Sequence, residues 1–216
     1  MMSPVPSPLE REIKLSAPPD YALPDLADLA TGGVADSGDE PLESVYWDTD
    51  GLELARHGVG LRHRVRRDRP GDVGVWTLKS GGHREGDLMV RGEHEVPASG
   101  SAIPPELLAE VPAEIGPAAI HPVAVLRARR RVLTLTAADG GSVQVMDDTV
   151  DIISPVGAVA ERFRELEVEL REGGEQLAGR VAARLREAGA GPPQSSSKYG
   201  RALRALGYQV GPIADL

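Results

Sequence analysis

Charged residues recur in this sequence at a spacing of two, and some of the sets carry one sign alone. Glu10, Glu12 and Lys14 alternate with apolar or unlike neighbours, as do Arg62, Arg64 and Arg66 farther on. Arg91, Glu93 and Glu95 repeat the spacing, and Glu165, Glu167 and Glu169 alternate with Leu166, Val168 and Leu170. Lys79 closes the run Trp76-Thr77-Leu78. Side chains two apart on an extended chain point the same way, so each set marks one face of a strand. A solvated sheet face usually mixes Thr, Ser, Gln, Lys and Glu. Faces built of carboxylates alone or guanidinium groups alone repel themselves unless a ligand or counter-charge absorbs them. Sorted this way, the residues suggest two halves of one site. The carboxylates offer hard oxygen donors of the kind Mg²⁺ or Mn²⁺ prefers. The Arg/Lys set suits phosphate oxygens, which the planar guanidinium fork binds in pairs. A linear triphosphate carries several negative charges and would engage both halves.

The elements that must position these residues are mostly short strands punctuated by Gly, Pro and Asp. Period-two alternation predicts strands over 9–15, 43–48, 59–67, 73–80, 88–96, 123–137, 142–153 and 159–169. Asp139-Gly140-Gly141 between two of them predicts a hairpin turn needing positive φ, and a second turn is expected around Arg69-Pro70-Gly71-Asp72. Short helices are expected over 23–29 and 106–111. A longer one is expected over 175–188, where Leu177, Val181, Leu185 and Ala188 form one stripe and Gly189 can take the left-handed position beyond the end. Ser195, Ser196 and Ser197 offer caps for a last helix over 196–206. Segments 31–39 and 189–194 read as flexible, 1–8 as a disordered tail and 208–216 as a second tail, leaving one domain over 9–207. Closing the sheet would surround a polyanion and exclude water, strengthening each contact.

The motifs also resemble a known family. Glu10-Arg11-Glu12-Ile13-Lys14 matches the ExExK signature of the CYTH, or triphosphate tunnel metalloenzyme, superfamily. Similar blocks follow in order: YWDTDGLELARHGVGLRHR from Tyr46, WTLK from Trp76, Arg91 with Glu93, the Arg-rich run Arg127 to Arg131, MDDTV from Met146, ELEVEL from Glu165 and SKYGRAL from Ser197. The resemblance implies an α+β, mainly β, fold: a closed eight-stranded antiparallel β-barrel forming a triphosphate tunnel, with flanking and C-terminal helices. It implies metal ligation by Glu10, Glu12, Glu165 and Glu167 with Asp148 near them, and Mg²⁺ or Mn²⁺ as the cofactor. It implies triphosphate contacts from Lys14, Arg62, Arg64, Lys79, Arg91 and Arg130. Lys198 falls where bacterial members often carry a basic residue. Lys14, Glu10 and Glu12 are the expected catalytic residues. Strand parity with Thr134 and Thr136 favours Arg130 over Arg129, and spacing to Val150 favours Asp148 over Asp147; Glu93 and Glu95 are open between metal binding and balancing arginines.

Composition narrows the activity further. The formal net charge is −9 and the pI near 5.1, which argues against a nucleic-acid partner. The chain has no cysteine, no basic-apolar leader and no apolar run of membrane-spanning length, so a cytoplasmic monomer or homodimer without membrane contact is expected. The five histidines show no metal spacing, and His63 and His94 fall between the tunnel positions, so they should face outward. Trp47 and Trp76 read as packing residues. The expected function is metal-dependent hydrolysis of a linear triphosphate, with inorganic tripolyphosphate ahead of organic triphosphates because aromatics are only 3% of the chain. Two alternatives stand: an adenylyl cyclase, for which no adenine pocket is visible, and a polyphosphate-binding module with little turnover, as in CYTH domains that precede a helical CHAD domain.

Overall fold

Alternation of polar and apolar residues becomes a closed wall. The computed structural model describes residues 9–113, 115 and 120–209. Among these, eight strands form: β1 (Leu9–Ala17), β2 (Gly33–Asp48), β3 (Gly60–Arg66), β4 (Val75–Glu85), β5 (Leu88–Pro97), β6 (His121–Thr136), β7 (Ser142–Ile153) and β8 (Val159–Leu170). They close into a barrel in the order β1-β5-β4-β3-β2-β6-β7-β8. Every pairing is antiparallel, so each register partner shares a face with its opposite. Glu10 lies opposite Arg91, Lys14 opposite Glu167, Arg62 opposite both Tyr46 and Thr77, and Arg130 opposite Asp148.

The alternate residues point outward, and helices cover them. Ile13, Leu15, Val145, Leu166 and Val168 pack against Leu177, Val181 and Leu185 of α3 (Glu175–Glu187). Leu61, Trp76 and Leu78 pack under Leu54 of α1 (Glu53–Arg56) and Leu107 of α2 (Pro105–Leu108). Most of the hydrophobic core therefore sits outside the barrel wall, which leaves the inside for charge. One end is the exception. There the inward-facing Tyr46, Leu126, Val150, Ile152 and Phe163 receive Tyr199, Ala202 and Leu203 of α4 (Lys198–Ala205). Ser197 caps that helix by accepting the Gly200 amide at 2.9 Å. Gly189 ends α3 at φ +106, and Gly140 turns the β6–β7 hairpin at φ +88.

Several elements differ from expectation. Segment 31–39 read as flexible because Gly33, Asp36, Ser37, Gly38 and Asp39 are turn residues, yet β2 starts at Gly33. Its first half pairs with β6, helped by Asp36 accepting from Arg131 at 2.6 Å, with an irregularity at Gly38, φ +71. No helix forms over 23–29. The Asp25 carboxylate takes the Ala27 amide at 2.9 Å and Arg184 bonds the Asp25 carbonyl and the Asp28 carboxylate, so tertiary contacts settle a segment too short to nucleate a helix. The helix expected over 106–111 is the shorter α2, and α1 was not expected. Segment 189–194 is tied down rather than loose: Gly191 and Ser16 exchange backbone bonds of 3.0 and 2.9 Å, and Ser16 Oγ donates to the Pro192 carbonyl. Residues 1–8 and 210–216, where tails were expected, lie outside the described residues. No helix among the described residues is long and apolar enough to cross a membrane.

Candidate active site

The inward side chains enclose a cavity of about 320 Å³. Glu10, Lys14, Arg62, Arg64, Lys79, Arg91, Arg130, Glu167 and Lys198 all line it. Glu12, Asp148 and Glu165 sit in the wall behind, bonded to these same groups. All twelve site residues that the resemblance implies thus lie in or against one interior. The two open parities resolve the same way. Arg130 points inward, whereas Arg129 is 72% exposed and meets Asp39 on the outside. Asp148 points inward, whereas Asp147 pairs outward with Arg164 at 2.6 Å.

Charges inside pair in a connected network. Glu10 accepts Lys79 at 2.8 Å and Arg91 at 2.6 Å, and Arg91 continues to Glu12. Burial alone would raise the Glu10 carboxyl, but Lys79 and Arg91 outweigh it and hold it well below the ordinary range. Lys14 Nζ stands 2.9 Å from Glu167, 3.5 Å from Glu12 and 3.7 Å from Glu165. Lys198 Nζ reaches Glu165 at 2.6 Å, Glu167 at 2.7 Å and Asp148 at 3.1 Å. Arg130 grips Asp148 with two bonds of 2.8 and 2.6 Å and touches Glu167 at 3.2 Å. Against the cost of burial, Arg130 and Lys198 hold Asp148 at about 2. Both lysines are raised above their usual range, since the carboxylates around them overcome desolvation.

Two groups stand outside this balance. Arg64 has one hydrogen bond among the described residues, to Ser44 Oγ at 3.2 Å. Burial, with Arg62 and Arg130 nearby, lowers its guanidinium to about 9. Arg62 bonds Thr77 at 3.2 Å, comes no closer than 4.0 Å to Glu93, and leaves its buried Nε without a partner. Incompletely neutralised cations on one wall are what an anionic ligand completes. On the acidic side, Glu12 Oε2 is buried and unpartnered, and burial raises this carboxyl despite Lys14.

The metal set implied by the resemblance is not preassembled. Among the described residues no three His, Asp or Glu groups stand in an arrangement that would hold a metal ion. The reason is visible in the network: Glu10, Asp148, Glu165 and Glu167 are each taken by an ammonium or guanidinium group. The donor chemistry still fits a hard divalent cation, and among the described residues Glu12 Oε2 is a buried carboxylate oxygen that no cation holds. Glu93 lies 3.1 Å from Lys79 and 4.0 Å from Arg62 and so balances the cationic wall, whereas Glu95 accepts from the Thr77 hydroxyl.

The histidines lie elsewhere. His63 stacks on Trp76 with centroids 4.9 Å apart and His94 meets Glu110, both on the outer side. Trp47 and Trp76 pack 5.3 Å apart in the outer core. Asp48 was missed by the sequence reading. Fully buried, it accepts the Leu54 and Ala55 amides at 2.8 and 3.0 Å and the Tyr199 hydroxyl at 2.8 Å, fixing α1 and α4 to β2 together. Aspartate just before a short amphipathic run was the available signal. The Tyr46–Tyr199 stack, 4.8 Å apart and 1° from parallel, left no trace in local spacing.

Glu169, toward the far end of β8, gives a pH prediction. Burial raises its carboxyl to about 7 although Arg171 stands 2.9 Å away. A raised folded-state value means the folded protein keeps this proton longer than the unfolded chain. The stability it brings is whole below the ordinary carboxylate value near 4.5 and is lost as pH rises through about 7. Glu169→Gln should therefore melt level with the parent near pH 4.5 and higher at pH 8; equal melting curves at both pH values would refute the assignment.

Comparison with known proteins places these observations. The profile of the CYTH domain matches residues 8–196. The uncharacterized protein Rv2226 of Mycobacterium tuberculosis, called MT2285 in strain CDC 1551, is 32% identical over 187 residues, 80% of this chain. This chain covers only 35% of that protein. HpAC1 of Hippeastrum, a candidate adenylyl cyclase described as having a dominant triphosphatase activity, superposes with a TM-score of 0.55 at 19% identity, covering 96% of this chain and 100% of its own. A candidate adenylate cyclase of Bacillus halodurans gives 0.55 at 15% identity, covering 88% and 95%.

Proposed function

This chain belongs to the CYTH domain family, and we propose that it hydrolyses a linear triphosphate, removing the terminal phosphate, with inorganic tripolyphosphate as the leading substrate. The observation that carries this reading is the cationic wall. Among the described residues Arg62 and Arg64 have no carboxylate closer than 4.0 Å, in a cavity where Lys14, Lys79, Arg91, Arg130 and Lys198 are each paired with acids. A polyphosphate supplies the missing anions.

Arg62, Arg64 and Arg130 would hold phosphate oxygens, Lys79 and Arg91 would extend the grip beside Glu10, and Lys14 and Lys198 would neutralise charge as the bond to the leaving phosphate breaks. Glu12, Glu165 and Glu167, with Glu10 and Asp148 beside them, are the groups to hold Mg²⁺ or Mn²⁺. A divalent ion there supplies Lewis-acid polarisation of phosphate oxygens and a more acidic water. Phosphate entry would release carboxylates from their ammonium partners, since Lys14 and Lys198 can turn to the new anion. Fixed positioning of a flexible polyanion in a site that excludes bulk water accounts for much of the catalysis in phosphoryl transfer.

Phosphate release from tripolyphosphate, followed with and without divalent metal, tests this reading. We expect activity that chelation abolishes, and losses of at least ~100-fold in Glu165→Ala and Arg62→Ala, corresponding to about 2.7 kcal/mol of barrier. Activity that survives both substitutions contradicts it. A second reading, polyphosphate binding with little turnover, is favoured by the acids already being held by Lys and Arg. Tight tripolyphosphate binding without phosphate release would select it.

A further inference from the structure

The two ends of the cavity differ. At one end α4 lies within the ring of strands, with Tyr199, Ala202 and Leu203 buried against Tyr46, Leu126 and Ile152. Lys198, the first residue of that helix, projects onto Glu165 and Glu167. Beside α4, the linker at Gly191 is bonded in both directions to Ser16 of β1. Lys14, 7% exposed, lines both this cavity and a second hollow of about 380 Å³ that Pro192 and Pro193 also line. That end is closed by packed side chains and faced with two ammonium groups. At the other end the wall is polar and open around Glu169 and Arg171, and Val132 and Met146, register partners on β6 and β7, add an uncharged strip.

A terminal phosphate and an internal phosphate differ chemically. The terminal group has three non-bridging oxygens and the higher charge, which suits a dead end lined by ammonium groups. An esterified phosphate has neither, and its substituent would have to displace the buried side chains of α4 at a high packing cost. Resting on the triphosphate reading above, we propose that the cavity is entered from one end only. A triphosphate seats a free terminal phosphate against Lys14 and Lys198. Its other end, free or carrying an ester substituent, lies along Val132 and Met146. A chain blocked at both ends is excluded.

The test is calorimetric binding to the full chain of three compounds: tripolyphosphate, ATP with one blocked end, and diadenosine pentaphosphate with two. We expect the first two dissociation constants to agree within about tenfold and the third to be at least about 100-fold weaker. Equal binding of the doubly blocked compound overturns one-way entry and leaves the hydrolysis reading standing. Rejection of both adenosine compounds also overturns it, because the open end then admits no substituent. Tripolyphosphate that binds without being cleaved sinks the hydrolysis reading, and the same three constants still decide the direction of entry. Failure of tripolyphosphate to bind removes both.

Discussion

Glu167→Gln should lower the melting temperature by about 6–20 °C, the equivalent of ~3–5 kcal/mol for breaking a buried charge cluster in a domain of this size. Glu167 is the acid on which the network converges, touching Lys14 at 2.9 Å, Lys198 at 2.7 Å and Arg130 at 3.2 Å. Those cations hold it well below its ordinary range in spite of full burial. Glutamine keeps the shape and removes the charge, so three buried cations lose a shared counter-ion. Metal-free tripolyphosphate should then restore much of the loss, because it brings replacement anions to the same ammonium groups. Phosphate release should nonetheless stay at least about 1000-fold below the parent, roughly 4 kcal/mol of barrier. The two readouts separate roles. A variant that melts within a degree or two of the parent and turns over normally would mean the convergence on Glu167 does nothing for either.

How far the sequence announced this arrangement depends on the range of the interaction. Parity is local: a residue's side of a strand is set by its neighbours, so Glu10, Arg62, Arg91 and Glu167 could be assigned to one interior before any coordinates. The same argument separates Arg130 from Arg129, since Thr134 and Thr136 count back to it in steps of two. Partnership is not local. Segment 31–39 looks like a loop by composition and becomes strand from Gly33 on because Arg131, 95 residues away from Asp36, pairs with it. Lys198 meets Glu165 across 33 residues and a whole helix, and Tyr199 meets Asp48 across 151. The acids could be recognised as donors for a divalent cation, but their occupation by lysines depends on how opposite charges settle in three dimensions. The failed helix over 23–29 is of the same kind, decided by Arg184 of α3.

Arg64→Met should raise the stability of the ligand-free protein and weaken tripolyphosphate at the same time. Arg64 carries its charge in the cavity wall with Ser44 as its one hydrogen-bond partner among the described residues, beside Arg62 and Arg130. Burial and these like charges lower its guanidinium to about 9, below the unfolded value, so the folded state holds this proton less firmly than the unfolded chain does. By linkage, stability from this group recovers only as pH rises above about 9, and at neutral pH the whole penalty is present. Methionine fills similar space without charge, and removing the strain should gain about 1–3 kcal/mol, or ~2–12 °C in melting temperature. The binding loss should be at least ~100-fold, about 2.7 kcal/mol, because a guanidinium fork aimed at phosphate oxygens goes with it. Such opposed effects identify a residue kept for a ligand rather than for the fold. Surface arginines behave differently: Arg162, paired with Asp151 at 2.5 Å on the outside, should change neither quantity much when replaced. If Arg64→Met melts at or below the parent and binds tripolyphosphate equally well, the cationic wall is structural and the case for a polyanion in the cavity loses its main support.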